Sequence, residues 1–297
     1  MMRPPALAFV LDAAYYRPAV QLLLSWWSEF GRLLLPVDCA GCSAPDESLC
    51  PGCRSRLHRA PARPYRAESG AGSLPFLDEC PGGSEDPGGA GAGSRLADRE
   101  VLPVVAAGRY RHELSRVILA FKNHGRADLA PVLAAVLARA VQDAARQLAV
   151  PGAGPWLLVP APSRAGSRRR RGYDPLDVLL CRLRRRGLLP PGAVLLRGAV
   201  VSGPRTRPGG LLPGAAQKSL GRAARRRNVA GSMRARPGRQ QMLDGSDCLL
   251  VDDVLTTGAT LAELARTVRR AGGRVVGGAV LAAASAPSGD GPAGPWT

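Results

Sequence analysis

Residues 249–260 read LLVDDVLTTGAT, a buried strand, an acidic pair and a turn into a helix in immediate succession. Leu249, Leu250 and Val251 have the unbroken apolar character of a strand buried on both faces. Asp252 and Asp253 are expected at that strand's carboxyl end. Thr256, Thr257, Gly258, Ala259 and Thr260 follow as a small, hydroxyl-rich loop, and Leu261, Leu264, Ala265 and Val268 then recur at helical spacing. A strand, an acidic pair, a tight Thr/Gly loop and a helix N-terminus together make a site for a sugar phosphate. Loop amides, threonine hydroxyls and the helix dipole suit a phosphate. The carboxylates suit ribose hydroxyls or a hydrated divalent cation. An ordinary strand-to-helix turn is the plain alternative, but it needs neither two adjacent carboxylates nor three threonines.

The stretch resembles the phosphoribosyl-pyrophosphate (PRPP) loop of type I phosphoribosyltransferases. That resemblance implies that Asp252 and Asp253 hold the ribose 2′ and 3′ hydroxyls. It implies that Thr256, Thr257, Gly258, Ala259 and Thr260 hold the 5′-phosphate, with Mg²⁺ accompanying PRPP.

Outward from this stretch, strands and helices alternate. Strands are expected at Val101–Ala107, Trp156–Val159, Ala193–Leu196, Cys248–Val251 and Val275–Leu281. Leu114, Val117, Ile118 and Phe121 mark one helix face, and the apolar residues from Leu129 to Leu148 mark a longer one. A helix is expected over Pro175–Arg186, with Asp174 as N-cap and a proline in its first turn. The pattern predicts an α/β fold, a parallel sheet with helices on both faces. Ligands of such sheets sit beyond the strands' carboxyl ends, where Pro160–Arg164 and Asp252–Thr260 both fall.

Towards the N-terminus stands Cys39-x2-Cys42-x7-Cys50-x2-Cys53. Two C-x2-C knuckles offer four thiolates, which complete a tetrahedral zinc and leave no open position, so the zinc would be structural. Gly41 and Gly52 sit inside the knuckles, where the turn needs backbone freedom. Disulfides are the alternative, disfavoured in an intracellular compartment. Cys80 has no knuckle partner and is left out; Cys181 and Cys248 read as small buried residues. The expected divisions are a helical segment at 1–37, a four-cysteine zinc-ribbon-like element at 38–67, a Gly/Pro-rich linker at 68–99, the α/β domain at 100–284 and a disordered tail at 285–297.

The chain has 297 residues, of which 45% are hydrophobic and 4% aromatic, so its core is expected to be built from Leu, Val and Ala. No apolar run reaches membrane-spanning length. Ala6–Ala14 makes a poor signal peptide, because Asp12 interrupts it, and a cytoplasmic location is expected. The net charge of +18 sits in one place. Residues 164–240 hold 19 Arg and Lys218 against Asp174 and Asp177, and the remainder balances. Such a segment fits phosphate groups or a nucleic-acid backbone; a solvated basic face is the bland reading.

Further segments match one family in order. These are Arg109-Tyr110-Arg111, Arg116-Val117-Ile118 and Lys122; then Val159-Pro160-Ala161-Pro162-Ser163 followed by Arg171-Gly172-Tyr173; then Gln217-Lys218-Ser219-Leu220 and Arg227-Asn228-Val229. With the knuckles in front and Leu250–Thr260 behind, the chain resembles the competence protein F (ComF) family of bacterial phosphoribosyltransferase-like proteins. It departs from the pattern at Asp174-Pro175, where the family usually has Asn-Gln, and in the insertion Gly203–Gly214. The resemblance implies a pyrophosphate-binding loop at Ser163 and Arg164. Lys122, Arg168, Arg169, Arg170, Arg171 and Lys218 are candidate phosphate or nucleic-acid contacts. It also implies a link to DNA uptake, with single-stranded DNA and competence or DNA-processing proteins as partners. Two functions are therefore expected: phosphoribosyl transfer from PRPP to a nitrogenous acceptor, or non-catalytic handling of single-stranded DNA on the same scaffold.

Overall fold

The computed structural model describes residues 37–59, 63–77, 99–148, 155–163, 173–203 and 231–284. The expected N-terminal helix, most of the linker and the tail lie outside these residues. So do Arg164, Arg168–Arg171 and Lys218.

A six-stranded sheet runs β1 (Tyr65–Arg66), β2 (Val104–Arg109), β8 (Arg274–Ala283), β7 (Asp247–Leu255), β3 (Trp156–Pro160) and β4 (Ala193–Leu195). Every neighbouring pair is parallel except β1 with β2. Parallel strands covered on both faces need apolar residues throughout, and β2, β3, β7 and β8 are buried along most of their lengths.

The connections fix the helices' positions. Helices α2 (His112–Asn123) and α3 (Ala130–Gln147) carry the chain from β2 across to β3, and α4 (Pro175–Arg185) carries it onward to β4. Helix α5 (Ala259–Arg270) runs the opposite way, from β7 to β8. Right-handed crossovers then put α5 on one face and α3 and α4 on the other. Adjacent residues of β8 register this. A Cβ added at Gly277 would strike Leu148, just past α3, whereas one at Gly278 would lie 3.4 Å from Leu261 of α5.

The reversal falls between β3 and β7, whose neighbours lead away in opposite directions. Their carboxyl ends therefore open a crevice, the usual ligand position of an open α/β sheet. A two-stranded antiparallel sheet, β5 (Val200–Ser202) with β6 (Met233–Ala235), lies against α5. Sequence periodicity did not reveal it, because each strand has only three residues.

The cysteine element adds α1 (Pro51–Arg59), which packs on α2 and α3. Cys39, Leu49, Cys53 and Leu57 join the same buried core as the sheet. Arg116 donates to the Gly41 carbonyl at 2.8 Å, Arg126 to the Ser48 carbonyl at 2.9 Å, and Arg139 to the His58 carbonyl. Residues 68–77, grouped with the linker on composition, are in fact packed. Ala71 is buried, Phe76 forms a bridge with Val101, and Arg269 donates to the carbonyls of Phe76 and Leu77 at 2.9 and 2.8 Å.

Candidate functional site

Strand β7 runs past its neighbour β3. Pairing with β3 ends at Val251, while pairing with β8 continues through Asp252, Val254 and Leu255. Asp252 and Asp253 thus lie within the strand, where the sequence reading had them just beyond it. That extension carries both acids to the rim of the crevice with their backbone held by one neighbour only.

The acids differ in surroundings. Asp252 is buried, and its Oδ1 accepts the Asp253 amide at 2.8 Å. Burial, then the charge of Asp253, push its carboxyl up to about 8, against the Asp253 amide bond and the Lys122 charge. Asp253 is partly exposed and forms an ion pair with Lys122 Nζ at 2.7 Å. Lys122 lies in the last turn of α2, so this helix delivers a cation to the acidic pair. Tyr173 closes the same corner: its hydroxyl donates to the Phe121 carbonyl at 2.6 Å, and the two rings lie 6.1 Å apart. Asp174 caps α4 by accepting the Asp177 amide, as the sequence suggested.

A raised carboxyl pKa makes the folded state hold a proton that the unfolded chain has released. Stability from this group is full below its ordinary value of 3.8 and is lost as pH rises towards about 8. Asp252→Asn is therefore expected to be stabilising at pH 8 and close to neutral at pH 4. Urea midpoints of the two proteins at both pH values check this; a constant difference between them would contradict it.

Thr256, Thr257 and Gly258 turn the chain into α5. Gly258 has φ +84°, a left-handed conformation that costs an L side chain about 1–2 kcal/mol. A Cβ there would also lie 2.7 Å from Leu74 Cγ. Thr257 Oγ1 accepts the Ala259 amide at 3.4 Å. The amides of the next positions have no intrahelical acceptor and form the positive end of the α5 dipole. Thr256 is exposed, and Thr257 and Thr260 are half-buried. The loop is braced from outside by the packed 71–77 segment, whose Ser73 amide donates to the Thr257 carbonyl at 2.9 Å. No sequence signal pointed to Ser73 or Leu74, because Gly, Ser and Pro around them have the composition of a linker.

Across the crevice, Ala161 donates to the Val251 carbonyl at 2.8 Å, fixing the start of the loop after β3. Ser163 lies at that loop, and its carbonyl accepts Ser202 Oγ at 3.2 Å. Ser202 ends β5, which belongs to the basic segment 164–240. The described residues thus bring Ser163, Lys122, Asp252, Asp253 and the 256–260 loop to one end of the sheet.

The four knuckle thiols form a second centre. Their sulfurs all lie within 4.8 Å of one another, with Cys42 and Cys50 at 3.6 Å. A tetrahedral zinc with bonds of about 2.3 Å would separate its sulfurs by roughly 3.8 Å. The sulfurs also accept hydrogen bonds as thiolates do. Gly41 and Cys50 amides donate to Cys39, the Cys53 amide to Cys50, and Arg56 to Cys53, at 3.2–3.4 Å. Against burial, which would raise it, the Cys50, Cys42 and Gly41 amides bring the Cys39 thiol down to about 6. Burial pushes Cys53 up to about 12. A cation binding here would displace that proton. The donor set fits a metal ion such as zinc in a closed, structural site. Gly41 is required at its place because a Cβ would come within 2.7 Å of Cys53 Sγ. His58 is not drawn into the cluster, which holds the four cysteines alone.

Comparison with protein-family models gives one finding: residues 219–293 match the model described as "Phosphoribosyl transferase domain". The matched stretch contains the acidic pair, the loop, α5 and β8. Together with the mainly parallel sheet, it defines a phosphoribosyltransferase-type α/β fold carrying a small N-terminal cysteine element. No curated protein matches the chain. Among the described residues no helix is long and apolar enough to cross a membrane.

Proposed function

We propose that the chain is a phosphoribosyltransferase of the ComF type, binding PRPP with Mg²⁺ and transferring its ribose phosphate to a nitrogenous acceptor. The observation that carries this reading is the position of the acidic pair and the Thr/Gly loop, at the point where the sheet's connections reverse. In this reading Asp253 and Asp252 accept the ribose hydroxyls. The 256–260 loop and the first turn of α5 hold the 5′-phosphate. Ser163 faces the pyrophosphate, to which the family resemblance also assigns Arg164 and which Mg²⁺ helps to neutralise as it departs. Lys122 keeps the acids from repelling the incoming phosphates and is the group that must shift when a ribose takes Asp253.

Isothermal titration of PRPP with Mg²⁺ tests this. The wild type is expected to give saturable heat, and Asp252→Asn/Asp253→Asn to weaken binding at least tenfold, about 1.4 kcal/mol or more. Absence of heat from the wild type would remove the proposal.

A second reading rests on the confinement of the +18 charge to residues 164–240. In it, the same end of the sheet tracks the backbone of single-stranded nucleic acid, as the resemblance to competence proteins implies. Tyr173 is the one aromatic residue in that segment, so binding would be electrostatic and poor in base stacking. A steep loss of single-stranded DNA affinity with salt would favour it, and a flat response would oppose it.

A further inference from the structure

A cleft of about 210 Å³ opens at the carboxyl ends of β2 and β8, lined by Tyr65, Ser69, Gly70, Arg109, Ala283 and Ala284. It lies next to the loop described above. The Ala284 amide donates to the Leu255 carbonyl at 2.8 Å, one residue before Thr256. The segment that lines the cleft at Ser69 and Gly70 runs straight on to Ser73 and Leu74, which brace Thr257 and Gly258.

Three observations define what this cleft would take. Its shape is set by the half-buried Tyr65 ring and by the Arg109 guanidinium, which lies over that ring at 6.0 Å from its centroid. Its charge is positive. Among the described residues Arg109 has no carboxylate partner, and neighbouring Glu68 is turned away to Arg66 and the Val104 amide. Arg109 and Arg111 both act electrostatically on the Tyr65 hydroxyl. Its size is modest: drug-sized ligands occupy roughly 300–1,000 Å³, so this cleft suits a one-ring molecule.

Its position completes the argument, which rests on the PRPP reading given above. The sheet order is β3, β7, β8, β2. The loop after β3, assigned to pyrophosphate, lies on one side of the acidic pair. The cleft lies on the other side, about 5–10 Å away across one or two strand spacings. A displacement at the anomeric carbon needs its nucleophile on the side opposite the leaving group. We propose that the Tyr65–Arg109 cleft is the acceptor site, and that it takes a planar nitrogen heterocycle bearing an acidic group such as a carboxylate. The acidic group pairs with Arg109 and draws the guanidinium off the Tyr65 face, against which the heterocycle then lies. The acceptor nitrogen's lone pair forms the new N–C1 bond. The C1–O bond breaks, and its electron pair leaves with pyrophosphate. Where the nitrogen carried a hydrogen, that proton passes to water.

Two probe pairs differ chiefly by the acidic group: nicotinate with nicotinamide, and orotate with uracil. Each probe is titrated by ligand-observed NMR into the full chain, with PRPP–Mg²⁺ calorimetry in parallel. One carboxylated probe at least is expected to bind tenfold or more tightly than its neutral partner. Arg109→Gln, at an exposed position, is expected to erase that preference and leave PRPP heat within twofold of wild type. Tyr65→Leu is expected to weaken both members of the bound pair. No binding by any probe, equal binding within each pair, or a preference that survives Arg109→Gln would overturn the acceptor site while PRPP heat still stands. Absence of PRPP heat from the wild type would overturn the PRPP reading, and the acceptor role with it.

Discussion

Replacing Cys39 and Cys53 together by serine is expected to lower the melting temperature by 10 °C or more. Both thiols are buried, at 3% and 0% exposure, and both belong to the core shared with the sheet. A structural zinc in small domains contributes on the order of 10–16 kcal/mol of apparent binding energy, much of it folding energy. Here the element also packs on the body of the domain, so only part of that is at stake. A loss of about 4 kcal/mol corresponds to roughly 8–16 °C for a domain of this size. Calorimetry on wild type, on the double variant and on wild type with a strong chelator checks the prediction, alongside metal analysis. Wild type is expected to carry one zinc per chain, and the chelator to reproduce the variant's loss. A wild type that carries no metal and ignores the chelator would refute the metal site.

The second large effect is expected at Glu263. This residue is 4% exposed, and its carboxylate accepts the Met233 amide at 3.1 Å and two Arg266 bonds at 2.8 and 2.6 Å. It thereby joins α5 to β6. Glu263→Ala leaves a buried amide and a partly buried guanidinium without their acceptor, which costs about 3–5 kcal/mol. That is a fall of roughly 6–20 °C in melting temperature. Glu263→Gln keeps one acceptor and is expected to lose less. The loss also has a pH signature. Burial raises the carboxyl, but the Arg266 bonds and charge together with the Met233 and Gly231 amides outweigh it and hold its pKa below the ordinary 4.5. Stability from the group is therefore present above that value and lost as pH falls through the folded one. Wild type and Glu263→Ala are expected to converge in acid. A gap that stays constant down to pH 3 would contradict this account.

Much of the architecture is legible in the chain because its signals are local. The helix faces of Leu114–Phe121 and Leu129–Leu148 and the apolar runs at Trp156 and Val275 each report their own element. Asp174 before Pro175 marks a cap, and the cap is there. The acidic pair and loop are legible for the same reason: one strand, one turn and one helix supply them all. What escaped is what depends on distant partners. Lys122 meets Asp253 only because the sheet places the end of α2 beside β7, and nothing near either residue announces it. Ser73 and Leu74 brace the loop through one amide and a close fit to Gly258, which no periodicity encodes. Tyr65 and Arg109 come from an antiparallel edge pairing with only two residues on the β1 side.

The glycine pair in β8 sets how closely the layers on either face approach this strand. Gly277 and Gly278 bring a helix end against each face of the strand, and the strand's remaining interior positions are mostly Val, Leu and Ala. Side chains of this kind surrender little rotamer freedom on folding; alanine surrenders none, whereas long flexible ones surrender up to about 2 kcal/mol each. A side chain at Gly277 would have to push the end of α3 away from the sheet.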